Sequence, residues 1–596
     1  MTDRLLNGAR EWLRIDQDTE TRAEIERLLS TQNQHELEKR LGSRITFGTA
    51  GLRARMEAGF SRMNSVTVIQ TSQGLAEYLI SQNPGNRERG IVIGRDGRHN
   101  SEKFAKLTAA TFVAKGFKVY WLKTVHTPLV PYGIRHHGAA AGVMVTASHN
   151  PAADNGYKVY LGNGCQIIPP HDKGIADHIE ANLEPLNWSI EHIDLENPSI
   201  IDGYRVMGGK YLQDVKHETW LWTATRERTE ATHYHRPIKF TYTPLHGVGW
   251  YYFRGLLEFA KLDKDMHVVK SQAHRNADFP TVRFPNPEEK GALGEAIKTA
   301  DAYGDWLILA NDPDADRFAA AQKVDGVWKQ FTGNQLGVLL ASAVWEKYEE
   351  LNHDKMGKTA MFVSAVSSRM LFKMGEAYAA RSDGKFTVEE TLTGFKWLGN
   401  RAQEWEQETG GQALFAYEEA IGYMTPGVGY DKDGVAAASL FLAACYEWQD
   451  DNGITPWDML QTLYKTYGYF EDANTYLITP SPAVTEQVFA QIRAARPSAV
   501  GTRSIKRWRD LTVGHDTGTP DNVPNLPVDA SAQMITCWLE DDVVFTARGS
   551  GTEPKLKLYI EACSDSSERA KAVANSVLED LVREWFKPEE NGLTRP

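Results

Sequence analysis

Short apolar runs, each closed by a polar turn, recur along the chain, and stretches with helical spacing lie between them. The run at 90–94 (GIVIG) predicts a buried strand, closed by the turn RDGRHNSE. From 101 to 115, Phe104, Leu107, Ala110 and Phe112 recur near helical spacing. Strands follow at 117–123 and 142–146 (GVMVT). The pattern restarts with a strand at 237–243, a helix near 251–259 and an apolar strand at 305–310 (DWLILA). A third stretch predicts a helix at 337–348, strands at 359–364 and 412–417 (QALFAY), and an apolar helix at 435–448. The last part has a Pro/Gly/Asp-rich loop at 514–531, strands at 533–539, 543–547 and 555–562, and a closing helix at 566–586. Ahead of all this, 11–41 reads as charged, exposed helix. Alternating strands and helices predict α/β layers.

The 596 residues suggest about four domains at ~150 residues each. We place them at 1–205, 206–325, 326–465 and 466–596. The first three share a mixed α/β pattern, and the fourth differs from them and reads as α+β. Composition is ordinary, 42% hydrophobic and 24% charged, which excludes a collagen, a coiled-coil rod or a largely disordered chain. The net charge of −12 argues against a nucleic-acid binder, which would carry a basic stripe. Cys165, Cys445, Cys537 and Cys563 fit neither a CxxC metal site nor a disulfide framework, so reduced thiols in a reducing compartment are expected. The N-terminal stretch is charged throughout and lacks a secretory apolar core. The most apolar stretch, 435–446, is too short to span a bilayer. A cytoplasmic protein without a membrane partner is the expectation.

The unusual residues sit just after apolar strands, where open α/β sheets bind ligands. Four such loops, one per domain, are expected to converge on one cleft. Thr146-Ala147-Ser148-His149-Asn150-Pro151 follows GVMVT, and Pro151 is expected to keep the loop extended. Ser148 is either a nucleophile or a turn former. Lys158, after an Asn-Gly turn at 155–156, either returns to the serine or is a surface charge. Asn311-Asp312-Pro313-Asp314-Ala315-Asp316-Arg317 follows DWLILA. Three carboxylates at alternate positions lie on one side of an extended segment. They suit a divalent cation such as Mg²⁺ better than a solvated acidic loop. Arg317 neutralises a carboxylate or reaches a phosphate.

Arg548-Gly549-Ser550-Gly551-Thr552-Glu553-Pro554-Lys555 follows VVFTA. It is either an ordinary hairpin turn or a phosphate loop, whose glycines would free backbone N–H groups for an anion and whose Arg548 would fork to phosphate oxygens. Glu418-Glu419-Ala420-Ile421-Gly422-Tyr423 follows QALFAY and suits sugar hydroxyls. In Asp431-Lys432-Asp433-Gly434, Asp433 caps the next helix, and Lys432 is a surface charge or a proton shuttle. Gly48-Thr49-Ala50-Gly51-Leu52-Arg53 and Arg95-Asp96-Gly97-Arg98 read structurally as a turn and a surface ion pair. Together these parts make a phosphoryl-transfer set with one phosphate to give and one to hold, which describes a mutase.

TASHNP, DPDADR, EEAIGY and RGSGTEPK resemble, in order, the four signature loops of the α-D-phosphohexomutase superfamily, over about residues 44–575. The resemblance implies three similar α/β domains and a smaller fourth around one cleft. It implies that Ser148 is the phosphoserine and that Asp312, Asp314 and Asp316 bind Mg²⁺ with it. It makes His149, Lys158, Arg53 and Lys432 catalytic. Arg317, Thr393 and Gly394 (within Thr393-Gly394-Phe395-Lys396), Glu418, Ala420, Arg548, Ser550, Gly551, Thr552 and Lys555 become substrate contacts. Ala420 stands where many phosphoglucomutases have serine. EEAIGY with FGTAGLRA is most similar to the eukaryotic phosphopentomutase branch. The implied activity moves a phosphoryl group between C1 and the terminal hydroxyl, C5 of a pentose or C6 of a hexose. A sugar 1,6-bisphosphate or pentose 1,5-bisphosphate would be the activator. Phosphosugars are the only partners expected, of a monomer or weak homodimer. A phosphoglucomutase proper and a glucose 1,6-bisphosphate synthase are the alternatives.

Overall fold

The computed structural model describes residues 2–46, 51–221, 237–353, 355–550 and 554–595. They form two compact units. One is Met1–Val344 with Phe395–Gly453, the other Trp345–Gly394 with Ile454–Pro596.

The first unit holds two mixed sheets. One runs in the order Gly51–Arg55, Asp154–Leu161, Ala141–Val145, Ile91–Arg95, Val119–Thr124, Ile200–Asp202. The last four strands are parallel, and the first two return antiparallel. The second sheet runs Val327–Gln330, Phe318–Val324, Leu307–Asn311, Phe240–Thr243, Met266–Val268, again parallel strands with an antiparallel extension on one side. The parallel strands Ile91–Arg95 and Leu307–Asn311 are apolar and buried up to their closing Arg95 and Asn311, as strands covered on both faces must be. The same unit contains the antiparallel pair Gln412–Glu418 and Gly422–Met424 and the helix Gly434–Asn452. In the second unit, Thr359–Ser364 pairs in parallel with Phe386–Thr391. An antiparallel sheet runs Tyr469–Asp472, Lys555–Ser564, Val543–Gly549, Met534–Leu539, Arg503–Asp510, Ala499–Val500, backed by the helix Ser567–Leu581.

One device recurs. The Ser148, Asp312–Asp316, Glu418 and Arg548 loops each join a strand to its antiparallel neighbour. A hairpin connection is short and fixed at both ends by ladder hydrogen bonds. Each functional loop is therefore held at two points.

Three expectations need correction. Residues 11–41 are not one exposed helix. Asp3–Ile15, Thr19–Ser30 and Gln34–Leu41 are separate helices, the second and third started by Asp18 and Asn33 side chains accepting backbone N–H groups. Trp12, Ile25, Leu28 and Leu37 are buried in a core with Phe60, where Trp12 and Phe60 meet edge to face at 5.2 Å. The charged residues mask an apolar stripe worth roughly 1.5–3 kcal/mol per large side chain. Asn155-Gly156 is no turn but part of the strand Asp154–Leu161. The described part of the 48–53 segment, from Gly51, begins a strand that pairs with it.

The four cysteines are free; Cys165, Cys445 and Cys537 are buried and Cys563 is half-buried. Burial pushes all four thiols up. Among the described residues, no helix is long and apolar enough to cross a membrane.

Candidate active site

The Ser148 loop is a tight turn, not an extended segment. Asn150 N donates to Ala147 O at 3.1 Å, and Ser148 adopts a left-handed φ of 54°. Pro151 restricts only Asn150, so the backbone before it is free to turn. Ser148 is 2% exposed, and its Oγ donates to Asp312 Oδ2 at 2.9 Å. His149 Nδ1 lies 3.2 Å from the same Oγ. Burial, then Arg317 and Arg53, hold the His149 imidazolium far below its ordinary value, so the ring is neutral. Arg53 is exposed and donates to Asn150 Oδ1 at 3.0 Å.

The acidic loop also turns. Ala315 N donates to Asp312 O at 2.9 Å, and Ala315 has a φ of 54°. The three carboxylates therefore converge through a turn and not by strand alternation. Asp312, Asp314 and Asp316 are fully buried, each with a carboxyl oxygen within 4.8 Å of the others'. The helix Gly434–Asn452 begins right behind this loop: a Cβ on Gly434 would meet Arg317 O at 2.2 Å, so only glycine fits. Asp433 caps that helix through Val435 N and Ala436 N, as the sequence suggested.

Lys158 is not a surface charge. It lies opposite Met144 in the hairpin, is 6% exposed, and donates to Asp314 Oδ2 at 2.8 Å and Asp316 Oδ2 at 2.6 Å. Lys432, also buried, lies 3.3 Å from Asp316 Oδ2 and 3.8 Å from Asp431 Oδ1. Burial alone would lower its pKa, but Asp316, Asp431 and Glu418 outweigh it and hold Lys432 above its ordinary value. Asp314 is likewise held low against its burial by Lys158, while burial with Asp314 and Asp316 alongside raises Asp312. Asp314 Oδ1 and Asp316 Oδ1 are buried and accept no hydrogen bond among the described residues. Three hard oxygen donors with free lone pairs fit a divalent cation such as Mg²⁺.

Arg317 donates its backbone N–H to Asp312 Oδ1 at 3.1 Å, and its buried side-chain Nε has no acceptor among the described residues. Glu418 ends its strand buried; burial lifts its carboxyl to about 7 against the pull of Lys432 and Arg317. Ala420 is half-buried in the turn just beyond. In the second unit, Arg548 Nη1 donates to Thr393 Oγ1 at 2.6 Å, while its Nε is buried without an acceptor among the described residues. Gly394 has a φ of 106°, a conformation natural only to glycine. Ser550 N donates to Lys555 O at 2.8 Å, and Lys555 Nζ sits 4.6 Å from the Tyr476 ring centroid. Gly551 and Thr552 lie outside the described residues.

The structure thus gathers Ser148, His149, Lys158, Lys432 and the three aspartates in the first unit, with Arg53 hydrogen-bonded to the Ser148 turn. In the second it joins Arg548 to Thr393. Sequence reasoning missed Thr127, whose Oγ1 donates to Asp314 Oδ2 and whose N–H donates to Asp314 O at 2.9 Å. A Thr-Pro pair soon after a buried strand was the available signal. It also left Asp96 and Arg98 as a surface pair, whereas both are buried.

Residues 44–185, 210–326 and 332–467 match domains I, II and III described as "Phosphoglucomutase/phosphomannomutase, alpha/beta/alpha". The architecture is therefore three α/β/α domains followed by a β-rich C-terminal domain. The chain is 43% identical to the phosphoribomutase of Saccharomyces cerevisiae, covering 97% of this chain and 96% of that one. It is 40% identical to the phosphopentomutase of Mus musculus, covering 100% and 96%. It is 38% identical to the glucose 1,6-bisphosphate synthase of Homo sapiens, covering 98% and 94%. A solved parafusin (phosphoglucomutase) from Paramecium, in its open form, superposes with a TM-score of 0.64 at 16% identity, covering 90% of this chain and 96% of that one. Matched over most of its length by the three domain families and by these relatives, the chain belongs to the phosphoglucomutase/phosphomannomutase family of the α-D-phosphohexomutase superfamily, on its phosphoribomutase-like branch.

Proposed function

We propose that the protein is a phosphopentomutase with phosphoglucomutase activity, working through phospho-Ser148. The single observation behind this reading is the Ser148 Oγ–Asp312 Oδ2 contact of 2.9 Å inside a buried cluster of three carboxylates. Asp312, Asp314, Asp316 and Ser148 would hold Mg²⁺, which when bound supplies positive charge against the phosphoryl oxygens. In the first half-reaction the Ser148 Oγ–P bond breaks and a P–O bond forms to the free hydroxyl of a sugar monophosphate. The resulting bisphosphate turns over, and Ser148 recovers a phosphoryl group from the opposite end.

Net, one proton passes from the sugar hydroxyl to Ser148 Oγ in the first half and returns in the second. Lys158 and Lys432 are the groups we assign to that transfer. His149, neutral and against Oγ, orients the serine, and Arg53 and Arg317 steady the phosphoryl oxygens. Glu418 accepts from sugar hydroxyls beside Ala420. Arg548, with Thr393, Gly394, Ser550, Gly551, Thr552 and Lys555, grips the phosphate that is not reacting. A sugar 1,6-bisphosphate or pentose 1,5-bisphosphate primes the serine. We place the enzyme in the cytoplasm as a monomer or weak homodimer, with phosphosugars and neither nucleic acid nor membrane as partners.

The test is kcat/KM for ribose 1-phosphate against glucose 1-phosphate, with Mg²⁺ and a trace of bisphosphate. Preference for ribose 1-phosphate supports the pentose reading, and preference for glucose 1-phosphate makes the protein a phosphoglucomutase. The 38% identity to a glucose 1,6-bisphosphate synthase keeps a third outcome in view, release of free bisphosphate, which product analysis detects.

A further inference from the structure

The Ser148 turn is wrapped around one buried guanidinium. Arg98, its side chain 1% exposed, sends Nη2 to the carbonyls of Ser148 at 2.5 Å and Asn150 at 2.7 Å. Its Nη1 donates to the carbonyls of Pro151 at 2.9 Å and Asp154 at 3.3 Å. Its Nε is ion-paired with Asp96 Oδ2 at 3.1 Å. Asp96 also accepts from Thr146 Oγ1 at 2.7 Å, Ser101 Oγ at 2.6 Å and Arg98 N at 3.0 Å. Thr146 Oγ1 in turn accepts Ser148 N–H at 2.9 Å. The guanidinium carbon lies 4.9 Å from the ring centroid of Phe279, a buried residue between the second sheet's strand Met266–Val268 and the helix Gly294–Tyr303.

A turn normally satisfies its carbonyls with water or its own amides. Here they point inward to a cation, and the carbonyl of Ser148 itself is among them. Only arginine offers donors in a rigid planar fork wide enough to serve several acceptors at once; lysine is a point charge. Removing the fork would release the backbone of the residue whose Oγ faces Asp312.

We propose that Arg98, held by Asp96 and covered by Phe279, is a positioning residue that locks the Ser148 turn in the geometry needed for phosphoryl transfer. The transfer part rests on the phosphoserine reading above; the locking part does not.

The test uses the full chain and two variants, Arg98→Lys and Phe279→Leu. Hydrogen exchange is followed in the peptide covering 143–157, and kcat and KM are measured separately. In Arg98→Lys, exchange in the turn should rise at least ~10-fold. The kcat should fall by about 10²-fold, with KM within about twofold of wild type. Phe279→Leu, which leaves every charge in place, should move both readouts the same way by ~5-fold. The proposal is overturned if a folded Arg98→Lys protein keeps wild-type exchange in the turn. It is also overturned if KM rises while kcat holds, or if kcat stays within about twofold of wild type despite a loosened turn. Should Arg98→Lys fail to fold, Phe279→Leu decides by the same readouts. Wild-type protein inactive on every phosphosugar would defeat the functional reading, and the exchange data would still judge the lock.

Discussion

Lys158 and Lys432 reach the same oxygen: Asp316 Oδ2 accepts from Lys158 Nζ at 2.6 Å and lies 3.3 Å from Lys432 Nζ. One lysine comes from the serine hairpin and the other from the loop before a helix more than 270 positions later. Groups that share a partner do not act independently. Lys158→Met and Lys432→Met should each lower kcat by about 10²-fold or more. The double variant should fall little below the worse single one. A loss equal to the product of the two would show that they work separately.

Ser148 is both donor and acceptor in the proposed cycle, and its replacement removes only an oxygen. Ser148→Ala should lose mutase turnover and stop taking up phosphate from a labelled bisphosphate. Its melting temperature should stay near that of wild type, because only the two Oγ contacts, to Asp312 and His149, are lost. Retained turnover in the pure variant rejects the phosphoserine scheme.

Adding Mg²⁺ to chelator-treated protein should raise the melting temperature, since a ligand bound only by the folded state stabilises it by mass action, about 2.7 kcal/mol at a hundredfold excess over Kd. Asp314→Asn removes one of the carboxylates assigned to the cation in the proposed function, one held ionised by Lys158, and the shift should disappear with it. An unchanged shift in the variant places the cation elsewhere.

Glu418 should give the protein a pH signature. Its carboxyl rises from 4.5 to about 7 in the fold, so the folded state binds the proton more tightly than the unfolded one. Its contribution is therefore fully present below 4.5 and is lost as pH climbs to about 7. Glu418→Gln should reduce the slope of stability against pH in urea melts across the window, which Glu288 and Glu561, also raised to about 7, share. Without substrate, an identical slope in wild type and variant would show that another group titrates there.

Ala420 is half-buried in the turn just beyond Glu418 and offers no hydroxyl there. Ala420→Ser should improve kcat/KM for glucose 1-phosphate relative to ribose 1-phosphate by about 5- to 20-fold, the value of one added hydrogen bond. An unmoved ratio would mean that sugar choice is made elsewhere.

The chemistry was legible in the sequence because each motif follows an apolar strand and carries unusual side chains. Asp312, Asp314 and Asp316 could be assigned together from spacing alone, yet the geometry that joins them is a turn with Ala315 at positive φ, which spacing does not encode. Lys158 was visible as a candidate, but its burial depends on the long-range meeting of two sheets. Arg98 was read as a surface charge for the same reason: its acceptors are carbonyls, and backbone atoms leave no mark in a side-chain pattern. The N-terminal helices were hard to see because Trp12, Ile25 and Leu37 sit among many charges, and only the caps at Asp18 and Asn33 divide the stretch.

The uneven burial of the four thiols has a practical side. Cys165, Cys445 and Cys537 are sealed, and only Cys563, on the strand Lys555–Ser564, is open enough to meet a reagent in the native protein. A maleimide dye supplied in equal amount should therefore favour the C-terminal sheet over the three buried thiols. The natural sequence already carries a preferred attachment point for fluorescence, on the domain that contains the Arg548 loop.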